Sequence, residues 1–138
     1  MRALSVRQPF AWALFHGKPL ENRDWPFRYW GPLLIHASKT FEHDGYLWIR
    51  DTFPELEMPH KDDFVFGALV GKVRMVDCVS FHPSPWFVGD WGHVYEDQEV
   101  FKVPISWKGK QGIFFVPDEV IAQAQMREAH ISKKGLKF

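Results

Sequence analysis

The chain opens on a short, mostly apolar run, Arg2 to Val6, that predicts a strand. Gln8 to His16 then predicts a helix, with Pro9 near its first turn, where a missing N–H costs nothing, and Gly17 placed to end it. Pro32 to Ala37 is an apolar run ahead of a second helical stretch, Thr40 to Thr52, in which Tyr46, Leu47 and Ile49 to Phe53 are expected to supply a buried stripe. Two prolines and many acids make Phe53 to Asp63 an exposed loop. Phe64 to Val79 gives the longest strand signal, and Gly67 and Gly71 within it predict a bulge or a bend at a barrel corner.

Two turns follow, His82-Pro83-Ser84-Pro85-Trp86 and Gly89-Asp90-Trp91-Gly92. Val100 to Trp107 and Gly112 to Val116 read as strands, with Pro104 demoting the first to an edge, a rim or a bulge. Pro117-Asp118-Glu119 starts a last helix, Glu119 to Ala129, with two acids at the end the helix dipole favours. The tail Ser132 to Phe138 is basic and expected to fray. With no repeat, linker or low-complexity segment, residues 1–138 read as one α+β domain, a partly closed mixed β-barrel with flanking helices.

Composition narrows the class. A length of 138 residues fits one domain with a real core, and 46% apolar with 25% charged residues is ordinary for a soluble globular protein. Seven Trp and thirteen Phe are many, so some aromatic surface is expected to remain for stacking or for a partner. No run of 18 apolar residues occurs and no signal-peptide pattern follows Met1-Arg2-Ala3, which points away from a membrane. A single cysteine, Cys78, excludes an internal disulfide and fits a reducing cytoplasm, and its apolar strand makes it a buried, inert thiol. The seven histidines show no paired metal-ligand spacing, so neither a metal nor another cofactor is expected.

The formal net charge is zero, but its distribution is uneven. Residues 1–39 carry +4, residues 40–66 carry −5, residues 67–101 carry −3 and residues 102–138 carry +4. Two basic ends around an acidic middle can steer a polyanion to one face.

The stretch His16-Gly17-Lys18-Pro19-Leu20-Glu21-Asn22-Arg23-Asp24-Trp25 concentrates the chemistry. On an extended segment Glu21 and Arg23 share a face, because side chains alternate with a period of two, and Lys18 enters from the turn before them. Two cations around one anion can grip a phosphate or a polar base edge. The same three residues could equally form a surface ion pair beside a helix end, worth about 0–1 kcal/mol.

Three blocks carry a resemblance. Ser5-Val6-Arg7-Gln8-Pro9-Phe10-Ala11-Trp12, then Gly17-Lys18 through Trp25, then Gly31-Pro32-Leu33-Leu34-Ile35-His36-Ala37-Ser38-Lys39 resemble the start of an ASCH domain, a family similar in fold to the RNA-binding PUA domains. Lys18, Glu21 and Arg23 match the signature Gly-x-Lys-x-x-Glu-x-Arg, although His16 occupies its first position and the glycine follows at Gly17. The resemblance continues through Gly67 to Val73 with Asp77-Cys78, and through Lys108-Gly109-Lys110-Gln111-Gly112-Ile113-Phe114, so it covers nearly the whole chain.

The resemblance implies a PUA-like barrel and a cleft that binds RNA, single-stranded DNA or a nucleoside, drawing on Gln8, Lys18, Glu21, Arg23, Ser38 and Lys39 with Lys108 and Gln111. Lys18 and Arg23 would hold phosphate or base oxygens, Glu21 would accept from an exocyclic amine or orient Arg23, and Gln8 would add base-edge contacts. Lys39, Lys108 and Lys110 are natural phosphate contacts, and Trp25, Trp30 and Trp91 are candidate stacking platforms. A hydrolase acting on RNA or on modified nucleosides is the alternative, with Lys18 as base and Glu21 beside it. Amidohydrolase-like relatives carry a threonine nucleophile three places after the motif lysine, where this chain has Glu21; ribonuclease-like relatives use a lysine, a tyrosine and a serine, types that Lys18, Tyr29 and Ser38 supply. A third possibility is a protein-interaction domain built on the acidic middle and the Trp-rich loops.

Overall fold

The computed structural model describes the backbone of residues 1–135 and the side chains of residues 1–126. Six strands form one mixed sheet: β1 (Arg2–Gln8), β2 (Leu20–Arg23), β3 (Gly31–Phe41), β4 (Ala68–Val79), β5 (Trp91–Ser106) and β6 (Ile113–Phe115). Three α-helices accompany them, α1 (Phe10–Ala13), α2 (His43–Thr52) and α3 (Asp118–Gly135), with a short 3-10 turn at Lys61–Asp63. The strand order is β2-β5-β4-β3-β1-β6; β1 and β3 run parallel, and the other neighbours are antiparallel. The edges β2 and β6 do not pair, so the α+β fold is as expected but the sheet is not closed into a barrel.

The reason lies in strand length. β6 covers β1 only over Arg2–Leu4, leaving the second half of β1 without a strand on that side. β2, four residues long, pairs only with β5. The sheet nevertheless coils: β2 and β1 stand four places apart, about 19 Å in a flat sheet, yet Arg23 Nη2 on β2 donates to the Ser5 carbonyl on β1 at 2.8 Å. Strand twist accumulates across the sheet and brings the edge round to β1.

The concave side holds the largest core, in which Leu4 and Val6 meet Leu33, Ile35, Val73, Met75 and Tyr95 beneath α1. The other face packs Ala3, Leu34, Leu69 and Phe114 against Ile121 of α3. A third cluster joins Ala13, Ile49 and Trp86.

Several elements depart from the sequence reading. α1 is shorter than Gln8–His16 because Gln8 completes β1; turns carry the chain from Leu14 to Gly17, whose φ of +106° suits glycine alone, and Lys18 N–H closes the turn on Ala13 O at 3.0 Å. Thr40 belongs to β3 rather than to the second helix, where Ile49 is buried but Tyr46 and Leu47 are not. The predicted strand Val100–Trp107 is the far half of β5, which begins at Trp91 and takes in the end of the expected Gly89–Gly92 turn. Pro104 lies in a bulge: Leu69 pairs with Ile105 and Gly71 with Val100, so the residues between are looped out. Gly71 marks that irregularity, as its position suggested. Cys78 is half-buried, and its Sγ accepts from Phe27 N–H at 3.4 Å. α3 runs on to Gly135; side chains of the tail expected to fray, Ser132–Phe138, lie outside the described residues. Among the described residues no helix is long and apolar enough to cross a membrane.

Candidate functional site

Where strand pairing fails, a cleft opens. It lies between β2 and the uncovered half of β1, with α2 on one side and the loop before β6 at one end, and has a volume of about 810 Å³. That size suits a small organic ligand. Its floor is Lys18, Glu21 and Arg23; Ser5, Arg7, Ser38 and Thr40 come from β1 and β3, Asp44 and Trp48 from α2, and Gln111 with Gly112 from the loop.

The floor is a charge triad in which Lys18 and Glu21 are buried and Arg23 is half-buried. Lys18 Nζ donates to Glu21 Oε1 at 2.8 Å, and Arg23 Nη2 donates to Glu21 Oε2 at 3.0 Å. Lys18 is only 2% exposed, its ammonium 4.6 Å from the centre of the Phe10 ring. Burial alone would raise the Glu21 pKa, but the charges of Lys18 and Arg23 and their hydrogen bonds outweigh it, so the carboxyl stays below its ordinary value and ionised. The triad thus carries one net positive charge at the base of the cleft, with Lys18 and Glu21 shielded from water and Arg23 partly open to it.

The elements supply this geometry directly. Gly17 turns the chain so that Lys18 enters from the end of α1, and the alternation of β2 puts Glu21 and Arg23 on the concave face. Glu21 pairs across the sheet with His93, and Tyr95 lies two residues further along the same face. Both are buried, and burial lowers the His93 pKa and raises that of Tyr95 well above the ordinary value. His93 Nε2 donates to Trp25 O at 2.9 Å, while His93 Nδ1, Tyr95 OH and Arg23 Nε are buried without a hydrogen-bond partner. Asn22 also lines the cleft and fixes the loop at its edge, donating to Trp86 O at 2.9 Å and accepting from Val88 N–H at 3.1 Å.

Of the residues singled out from sequence, Lys18, Glu21, Arg23, Ser38 and Gln111 line this one cleft. Gln8 does not, because its amide is used by the fold: Nε2 donates to Val65 O at 3.0 Å and Oε1 accepts from Trp12 N–H at 2.9 Å. Lys39 lies on β3 between Ser38 and Thr40, which face the cleft, so alternation directs it to the opposite side. Lys108 is exposed on the loop three residues before Gln111. Trp25 is half-buried against Phe27 and His93, with ring centroids 6.0 and 4.9 Å away, and Trp30, 57% exposed, lies outside the cleft. Tyr29 also lies outside it, its hydroxyl donating to Pro32 O at 2.7 Å.

The tryptophan that does line the cleft is Trp48, together with Phe10. The sequence carries no signal that singles it out, because the apolar pattern of the helical stretch does not say which face borders a cleft; α2 turns only Ile49 fully inward. Arg7, which carries no site signal of its own in the sequence, pairs with Glu42 at 2.9 Å on the rim. Ser5 and His36 form a further contact beside the cleft. Ser5 Oγ is 2.9 Å from His36 Nδ1, and His36 Nε2 is 2.7 Å from Trp107 O. No protein-family model matches the chain, and no curated protein matches it.

Proposed function

We propose that this protein is an ASCH-type, PUA-like module whose cleft binds a nucleotide or nucleic acid, as a single strand or an unstacked base. One observation carries the reading: the signature residues Lys18, Glu21 and Arg23 form a triad on the floor of a ligand-sized cleft, with Lys18 and Glu21 buried and Arg23 half-buried, rather than a surface ion pair. Buried cations cost much more to desolvate than surface ones and are characteristic of sites that recognise charge or polar edges. Trp48 and Phe10 offer apolar faces to a base, while Lys18 and Arg23 present donors to oxygen atoms. Glu21, held ionised, accepts from an exocyclic amine.

The test is an anisotropy titration of labelled single-stranded RNA, single-stranded DNA and duplex DNA at low and moderate salt. Binding that prefers single strands and weakens as salt rises is the expected result. If none binds, and calorimetry detects no nucleoside or nucleotide either, the reading is overturned.

A further inference from the structure

β5 ends at Ser106 and β6 begins at Ile113, and the loop between them closes one end of the cleft through Gln111 and Gly112. Such a loop would ordinarily be mobile, but this one is fastened at its start. Trp107 N–H donates to Gly67 O at 3.1 Å, and Trp107 O accepts from His36 Nε2 at 2.7 Å. A carbonyl can only accept, so Nε2 carries the ring proton; Nδ1 is then an acceptor, and the Ser5 hydroxyl donates to it at 2.9 Å. Gly109 packs directly on this pair: a Cβ there would lie 2.5 Å from Ser5 Oγ and 2.6 Å from His36 Nδ1, so any side chain would push the two groups out of their present positions. Burial also lowers the pKa of His36, against a smaller opposing pull from the Trp107 carbonyl.

The segment so held is Lys108-Gly109-Lys110. Both lysines are exposed, and among the described residues neither makes an ion pair, whereas Arg7, Lys18, Arg23 and Arg74 all do. Two ammonium groups, without an ion pair among the described residues, thus stand on the fastened loop that closes one end of a cleft whose floor carries one net positive charge.

We propose that Ser5, His36 and Gly109 are positioning residues that hold Lys108 and Lys110 as a phosphate-binding arm, so that the cleft selects a phosphorylated nucleotide over the bare nucleoside. This rests on the nucleotide reading above. Lysine acts on phosphate as a flexible point charge, and its effect depends on where the backbone holds it, which is what the Ser5–His36 contact controls.

The experiment compares, by calorimetry at low salt, the four ribonucleosides, their 3′- and 5′-monophosphates and the corresponding dinucleoside monophosphates. For the preferred base, the phosphate should tighten binding at least tenfold. A gain confined to monophosphates assigns the arm to free nucleotides, and an equal gain with the phosphodiester assigns it to a polynucleotide strand. The double substitution Lys108→Ala/Lys110→Ala, at exposed positions that leave the fold intact, should erase the gain while nucleoside affinity stays the same. Gly109→Ala and His36→Leu should act in the same direction, and His36→Gln, whose amide N–H can still reach the Trp107 carbonyl, should restore most of it. Equal affinity for nucleoside and phosphate, or a gain that survives the double substitution, overturns the arm while leaving the cleft reading standing. Absence of binding by every ligand overturns both.

Discussion

Arg23 Nη2 lies 2.8 Å from the Ser5 carbonyl oxygen, at the place where β6 no longer covers β1. The same guanidinium holds Glu21 Oε2 at 3.0 Å. One side chain therefore does two things: it satisfies a backbone acceptor that strand pairing leaves open, and it fixes the carboxylate of the triad. The cleft exists because the sheet stops short of closure, and Arg23 holds the two sides of the opening in register.

Arg23→Ala should cost about 1–3 kcal/mol, the range for leaving a buried polar group unsatisfied, seen as a lower midpoint in urea. Arg23→Lys should recover only part of this, because both acceptors are served from Nη2 and a lysine ammonium does not extend as far as that atom. If Arg23→Ala unfolds at the wild-type midpoint, the bridge across the opening contributes nothing to stability.

Glu21→Gln leaves the buried Lys18 and the half-buried Arg23 without their shared anion, and breaking the buried Lys18–Glu21 pair in this way costs about 3–5 kcal/mol. The effect has a pH signature. The folded pKa of Glu21 lies below the ordinary value of 4.5, so its contribution is fully present above that value and is lost as pH falls towards the folded pKa. The stability gap between wild type and Glu21→Gln should therefore be constant near neutrality and narrow below about pH 4.5. Denaturant titrations from pH 3 to pH 7 measure it; a gap that does not narrow in acid means Glu21 is not held ionised by its neighbours.

Tyr95→Phe tests the opposite case. The Tyr95 hydroxyl is buried without a partner, and burial together with the nearby Glu21 carboxylate keeps it un-ionised. Removing it eliminates an unsatisfied polar atom and leaves the ring packing unchanged, so stability should hold or rise by up to about 1 kcal/mol. A loss larger than that would show that the hydroxyl has a partner, such as a bound water.

How much of this could be read from sequence differs by element. Local rules located the triad: a glycine to end the turns that follow α1, then period-two alternation along β2, bring Lys18, Glu21 and Arg23 together within six residues. Gln8 escaped the same logic because its partners, Val65 and Trp12, are fixed only when β1, α1 and the segment before β4 meet. Lys39 was legible in principle, since alternation with Ser38 already places it on the other face. Trp48 was not, because periodicity marks which residues are apolar but not which helix face borders a cleft. The coil of the sheet and the failure of β6 to extend along β1 are tertiary properties, and no local pattern reports them.

Gly71→Ala probes the bulge that shapes β4. Glycine is needed there for close approach: a Cβ would sit 2.5 Å from Phe15 Cζ and 2.6 Å from the Glu99 backbone carbonyl. The ring can rotate a little, but the backbone cannot, so overpacking should cost about 1–3 kcal/mol. Thermal unfolding of the variant measures it, and an unchanged melting temperature would mean that the β4–β5 ladder yields more readily than its pairing implies.

Lys18 decides whether the triad serves a ligand or only the fold. Its stem is packed and its ammonium paired, so truncation to alanine removes charge and volume together. Lys18→Met keeps most of the volume and removes only the charge, and the two variants separate packing from recognition. Both should destabilise the protein, because Glu21 then depends on Arg23 alone. If Lys18 contacts the ligand, both should also weaken nucleic-acid or nucleotide binding by about tenfold, or 1.4 kcal/mol, when measured at a temperature where each remains folded. A Lys18→Met protein that is less stable yet binds every nucleic acid and nucleotide as tightly as wild type would confine this lysine to holding the cleft open.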